Sequence, residues 1–196
     1  MSVEALPGNT HTPPELMPSD TRWLSGVELV THEERAALRS WLLTPGLLTQ
    51  RIRAAAGTDF SMSVLREQTT ASGHEREIDM RCAGVVWLFA HTSIPAPTLS
   101  AQPWLGQIGN SALGEALAAH GGCTRADFQY ARCSADHWLV HRALQHASLA
   151  PQSLWVRRSV ITVTGFAFSL YEVFLPAIGE RPSSIPTPDF HGTQPP

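Results

Sequence analysis

The segment Phe166–Pro176, FAFSLYEVFLP, constrains this chain more than any other. Aromatic and branched residues fill it and Pro176 ends it, so it reads as a β-strand. Alternate side chains of a strand point opposite ways, which puts Phe166, Phe168, Leu170, Glu172 and Phe174 on one face. That face is apolar, with one carboxylate set into it. Such a carboxylate has to be paired, hydrogen-bonded or protonated, because burying an unpaired charge is costly. Two readings follow: a structural ion pair, or a buried acid at the bottom of a ligand site.

Neighbouring segments supply the surroundings of Glu172. Val156–Val163 reads as a strand leading through Thr164-Gly165 into this one, and a turn at 164–165 or at 165–166 equally places Arg157, Ser159 and Ile161 on the Glu172 face. Arg76–Cys82 and Val85–Ile94 read as a hairpin around Ala83-Gly84. Arg76, Ile78, Met80 and Cys82 share one face of its first strand; Glu77, Asp79 and Arg81 share the other. A turn of two residues with uninterrupted register pairs Met80 with Trp87, Ile78 with Phe89, and Arg76 with His91. If both hairpins join one antiparallel sheet, Arg76, His91, Arg157 and Glu172 line one pocket. The alternative is that Arg76 and Glu172 pair with each other or with chain ends.

The rest of the chain reads as short helices and strands. Thr31 and Glu34 have capping-box spacing ahead of a helical stripe of Ala36, Leu38, Trp41 and Leu42, stopped by Pro45-Gly46. A second helix covers Leu47 to about Ala55, and Phe60–Arg66 alternates as a strand. Pro95–Pro103 reads as a loop. Asn110 or Ser111 caps a helix over Ala112–Ala119 that breaks at Gly121-Gly122. Leu113 falls in its first turn, where backbone N–H groups lack acceptors and the field suits a carboxylate. Asp127–Arg132 reads as a strand and Ala135–Ala147 as a helix. Residues 1–20 and 179–196 are proline-rich and read as disordered flanks of one folded domain over 21–178.

The net charge of −3 argues against binding nucleic acid through bulk charge. No apolar run is long enough for a membrane span, and no basic-then-apolar leader is present, so the expected location is cytoplasmic. Cys82, Cys123 and Cys133 have neither zinc spacing nor a pairing pattern. His137 and His141 lie one helical turn apart, but no acidic base sits between them, so no metal is assigned to them or to His146. Phosphate loops, nucleophile elbows and cofactor fingerprints are not found.

In chain order, several segments resemble the bacterial chorismate pyruvate-lyase family. They are Trp41-Leu42-Leu43 with Leu47–Arg51, Arg76-Glu77-Ile78, Trp87–Ala90 through Ile94-Pro95, Leu113-Gly114, Trp155 with Arg157-Arg158-Ser159, and Glu172–Ala177. The resemblance implies an α+β fold: a single antiparallel β-sheet with helices packed on it and an internal ligand pocket covered by two helical flaps. It implies removal of pyruvate from chorismate to give 4-hydroxybenzoate, the first step of ubiquinone biosynthesis. It further implies Arg76 and Glu172 as catalytic and substrate-binding residues, and a ligand carboxylate on the backbone amide of Leu113, with Leu48 as a second such position. No cofactor or metal is implied; the partners are chorismate and 4-hydroxybenzoate, and the protein is expected to be a monomer. His91 stands where the family has arginine and is carried over as a substrate-binding residue. Ala112 replaces a usual proline, Val156 a usual glycine, and Ser134–Ser153 looks inserted. The alternatives are a related chorismate enzyme with another product, or a non-catalytic effector-binding module of the same fold. The latter accompanies a DNA-binding helix-turn-helix, for which residues 1–40 leave no room.

Overall fold

The computed structural model describes residues 21–33 and 35–180. In chain order these form α1 (Gly26–His32), α2 (Ala36–Leu42), α3 (Leu48–Ala56), β1 (Phe60–Thr70), β2 (Gly73–Cys82), β3 (Val85–Pro95), α4 (Ala96–Ala101), α5 (Leu113–His120), β4 (Cys123–Arg125), β5 (Gln129–Cys133), α6 (Trp138–His146), β6 (Leu154–Val163), β7 (Phe166–Phe174) and α7 (Pro176–Glu180). The strands join one antiparallel sheet in the order β1-β2-β3-β7-β6, with β4 and β5 both pairing with β6. The fold is therefore α+β around a single sheet, as the sequence led one to expect. The strand carrying Glu172 is flanked by β3 and β6 and is buried on both faces over most of its length. Among the described residues no helix is long and apolar enough to cross a membrane.

Both hairpin turns have two central residues with positive φ: Ala83 and Gly84 at 49° and 79°, Thr164 and Gly165 at 46° and 88°. Their backbone twist matches that of the strands they join. The second hairpin keeps the register of a turn at 164–165, one of the two expected, with Arg157 opposite Glu172, Ser159 opposite Leu170 and Ile161 opposite Phe168. The first does not. Arg81 pairs with Val86 but Met80 pairs with Leu88, so Trp87 is one extra residue, a β-bulge. Beyond it every pair moves by one: Ile78 faces Ala90, Arg76 faces Thr92, and His91 lies opposite Glu77 rather than Arg76. A shift of one residue exchanges the two faces of a strand. His91 is therefore not on the face of Arg76 and Glu172, which corrects its assignment as a substrate-binding residue.

A separate apolar layer covers each face. On the front, Leu29, Leu38, Trp41, Leu42, Ile52 and Leu117 pack on Ile78, Met80, Phe168 and Phe174. On the back, Leu139, Val140, Ala143 and Leu144 of α6 pack on Phe89, Val156, Tyr171 and Val173. The segment 134–153 thus closes the far side of the sheet through α6. It also covers Glu77 and Asp79, which are 1% and 0% exposed. Arg142 donates to Glu77 at 2.6 Å, and His146 lies 2.7 Å from Asp79, which also pairs with Arg81. Burial works against ionisation of Glu77, but the neighbouring His91 ring and the Arg142 hydrogen bond outweigh it and hold the carboxyl below its usual range. The three histidines of this segment do not converge: His137 caps α6 by accepting from the Leu139 N–H, His146 serves Asp79, and His141 is exposed.

Several helix boundaries differ from expectation. The capping box is Ser25 with Glu28, opening α1, and α2 starts after Arg35 without a side-chain cap. Pro95–Pro103, expected as a loop, contains α4 and leads into a 3-10 turn over Pro103–Gln107. Proline lies near the start of each, where a missing N–H breaks no helical bond. Helix α5 is capped at Ala112, not at Asn110 or Ser111. Helix α7 carries the chain past the expected boundary at 178 into the flank expected over 179–196; the rest of that flank, 181–196, and the expected flank 1–20 lie outside the described residues.

Two side chains of β6 fasten the N-terminal helices to the sheet. Trp155 donates its indole N–H to Glu33 at 2.6 Å, and Arg157 donates to the carbonyls of Leu42 and Thr44 at 3.1 and 3.0 Å. Glu33 is 3% exposed. Burial opposes its charge, yet hydrogen bonds from the Arg35 side chain and backbone and from Trp155 hold its carboxyl down at about 2. A lowered folded-state value means stability that is complete above the unfolded-state value near 4.5 and is lost as pH falls through about 2. Glu33→Gln should therefore lower stability at neutral pH by up to about 3 kcal/mol. Urea unfolding from pH 2 to 7 checks this: the gap between wild type and variant should shrink below pH 4.5 and close near pH 2.

A candidate anion pocket beneath two helix ends

Between the front of the sheet and the N-termini of α3 and α5 lies a pocket of about 40 Å³. Its floor is formed by Arg76 and Ile78 of β2, Ala90 and Thr92 of β3, and Leu170 and Glu172 of β7. Arg76 and Glu172 are two strands apart, roughly 10 Å between backbones. Between them stand Ala90 and Thr92, which are too short to fill the gap. The bulge at Trp87 is what turns these two small side chains, rather than Phe89 and His91, toward the pocket.

Glu172 is 5% exposed, and its partner is Arg157, its cross-strand neighbour, with Nε donating to Oε2 at 2.7 Å. Arg76 does not pair with it. Arg157 is fully buried; besides the two carbonyl contacts to the end of α2, its guanidinium lies 4.1 Å from the centre of the Phe128 ring. One oxygen of Glu172 is thus fixed from the side while the carboxylate still lines the pocket.

Arg76 is 2% exposed. Its Nη2 donates to the carbonyls of Gly109 and Ser111 at 2.7 and 2.9 Å, and its Nε stands 3.6 Å from Glu67. Burial draws its guanidinium below the ordinary value, with Glu67 opposing. Arg76 therefore does two things at once. It places a cation at the pocket wall, and it anchors the chain that leads into α5.

The two helix ends above the floor, like those of α2 and α4, lack a side-chain cap. Their N-cap residues are Leu47 and Ala112, whereas α1 has a complete capping box. The first-turn N–H groups, those of Leu48 and Thr49 and of Leu113 and Gly114, have no acceptor within their helices. These four residues line the pocket. The positive ends of two helices thus meet over Arg76, which suits an anion on electrostatic grounds. Their approach is close: a methyl group added at Gly114 would stand 2.7 Å from Cδ2 of Leu47.

The pocket gathers Arg76, Glu172, Leu113 and Leu48 from the sequence assignments and leaves out His91. His91 is buried on the back, with Nδ1 3.5 Å from Glu77 and its ring edge-on to Trp138. Sequence reasoning missed Arg125, which lines the pocket from β4. A strand of three residues has no readable alternation, so only its cationic character could have marked it.

The chorismate lyase family model matches residues 17–183 of this chain. A Methylococcus capsulatus protein named "Probable chorismate pyruvate-lyase" is 31% identical over 163 residues, covering 75% of this chain and 99% of that one. A Dechloromonas aromatica protein of the same name is 33% identical over 156 residues, covering 72% and 88%. A solved GntR-family transcriptional regulator from Bacillus cereus has 13% identity and a TM-score of 0.45 over 61% of this chain and 94% of its own, too remote to carry functional weight. The family match spans the whole sheet and every element of the pocket, and the chain belongs to the chorismate lyase family.

Proposed function

We propose that the protein is a chorismate pyruvate-lyase that releases pyruvate from chorismate and leaves 4-hydroxybenzoate, the aromatic acid that enters ubiquinone synthesis. One observation carries this reading: a buried cation and two uncapped helix ends meet at one side of a pocket whose floor holds a buried carboxylate two strands away. That spacing matches a ring with a carboxylate at one end and a hydroxyl at the other. The ring carboxylate lies against Arg76 and the N–H groups of Leu113 and Leu48. The ring hydroxyl and the carbon that bears it face Glu172.

In the reaction the bond between the ring and the enolpyruvyl ether oxygen breaks. The ring loses the hydrogen on the carbon bearing the hydroxyl, and the departing enolpyruvate takes up a proton to become pyruvate. Aromatisation drives this step, so the protein's task is to orient the substrate and to balance the developing charge. Because Arg157 donates to Oε2, Glu172 meets the ligand as an acceptor, either of the hydroxyl hydrogen bond or of the ring proton. The surrounding arginines stabilise negative charge as it moves onto the leaving oxygen. No step requires a metal or an organic cofactor.

Purified protein should convert chorismate to equal amounts of 4-hydroxybenzoate and pyruvate with a chelator present; a rate that collapses on chelation and returns with zinc would overturn the cofactor-free mechanism. Glu172→Gln keeps an oxygen for Arg157 and should stay folded, with kcat/KM down roughly a hundredfold or more. Arg76→Gln should lose turnover on the same scale and also bind 4-hydroxybenzoate more weakly, since it removes a cation from an anion site. Thermal melts with product titrations decide: variants that melt far below wild type but turn over normally when folded make both residues structural. His91→Gln, on the opposite face, should leave 4-hydroxybenzoate affinity within about threefold of wild type, because no pocket contact is removed. A tenfold loss measured by calorimetry would show that the back of the sheet reaches the ligand.

A further inference from the structure

Arg125, the last residue of β4, enters the pocket from the side opposite Arg76. Its Nη1 donates to the Ser159 hydroxyl at 3.0 Å, and its guanidinium lies 5.3 Å from the Phe128 ring centre. Ser159 ends a cross-strand row that runs Arg76, Thr92, Leu170, Ser159. The pocket therefore has an arginine at each end of one row, with Glu172 in the next row between them.

The charges around these arginines are not alike. Arg76 has Glu67 and two backbone carbonyls, and Arg157 has Glu172. Among the described residues Arg125 forms no ion pair, and its hydrogen-bond partner is a neutral hydroxyl. Burial draws its guanidinium below the ordinary value; Glu172 opposes that from a distance and Arg157 adds to it. A half-buried cation whose contacts are a hydroxyl and an aromatic ring, with no carboxylate beside it, is incompletely compensated, and an anion in the pocket would relieve it.

We infer that Arg125 binds a second carboxylate, the one on the three-carbon part of the substrate that leaves, and so distinguishes the dianionic substrate from its monoanionic aromatic product. The identity of that substrate rests on the lyase reading above. Chorismate carries one carboxylate on the ring and one on the enolpyruvyl group; 4-hydroxybenzoate retains only the first. With the ring carboxylate held at the Arg76 end, the enolpyruvyl ether projects along the row toward Ser159. A planar guanidinium there can grip its carboxylate with two parallel hydrogen bonds and fix the direction of the breaking bond. Once the ring is aromatic and the three-carbon acid has gone, Arg125 has no part in holding the product.

The test compares three ligands on wild type, Arg125→Gln and Arg125→Lys: chorismate as substrate, 4-hydroxybenzoate, and 3-(carboxymethoxy)-4-hydroxybenzoate, an unreactive dicarboxylate. Wild type should prefer the dicarboxylate to 4-hydroxybenzoate. Arg125→Gln should weaken the dicarboxylate by roughly thirtyfold or more, shift 4-hydroxybenzoate by less than about threefold, and lower kcat/KM for chorismate by roughly a hundredfold. Arg125→Lys keeps the charge without the fork and should retain part of the preference; it also carries the test if the glutamine variant melts early. Equal weakening of both ligands, or of neither, overturns the assignment. The two readings fail separately. If wild type leaves chorismate intact but Arg125→Gln still loses the dicarboxylate, only the lyase reading falls. If wild type turns over chorismate and Arg125→Gln matches it, only the Arg125 assignment falls.

Discussion

Charge buried in an apolar sheet has to be answered from within the protein, and here Arg157 answers for Glu172. The pair is the point at which the domain's parts are joined. Arg157 stands on β6 and Glu172 on β7, and the remaining donors of Arg157 reach back to the carbonyls at the end of α2. An ion pair of this kind adds little net stability by itself, because desolvation offsets most of the attraction. Its effect is to fix geometry. It holds the carboxylate at one position on the floor, and it holds the segment leading to α3 above it, so floor and roof are referenced to the same guanidinium.

The opposite wall repeats that arrangement with different chemistry. Arg76 also takes up backbone carbonyls from the segment entering a roof helix, in this case α5. Each roof helix is therefore tied at its N-terminal approach by an arginine of the sheet. The uncapped first turns then follow from the construction: a side-chain cap would consume the donors that face the pocket. Stability forgone at two helix ends leaves N–H groups available to an anion.

Much of this was legible in the sequence because strand alternation has a rigid period. It isolated Glu172 and Arg76 as lone charges on apolar faces and placed Arg157 on the face of Glu172; that the two are direct cross-strand neighbours came from the structure. What was hidden was hidden for local reasons. The extra residue at Trp87 leaves no mark on a hydrophobic stretch where every neighbour is also apolar, so His91 was placed on the wrong face. The acidic side of β2 is covered by an element far along the chain, and nothing in β2 itself announces Arg142 or His146. Arg125 sits in a strand too short for periodicity. The caps of α2 and α5 use no side chain, so the sequence rules for capping had nothing to detect.

The bulge also bears on how this hairpin can change over evolutionary time. Arg76 and Glu77 are consecutive, yet one belongs to the pocket and the other to the ionic clasp beneath α6. Pairing Trp87 into the ladder without the bulge would turn Phe89 and His91, in place of Ala90 and Thr92, toward the pocket side. Both systems would fail in one event: a large ring would fill the pocket, and Glu77 would lose its facing imidazole. Segment 134–153, by contrast, adds a layer to the back of the sheet without altering the count of residues across it.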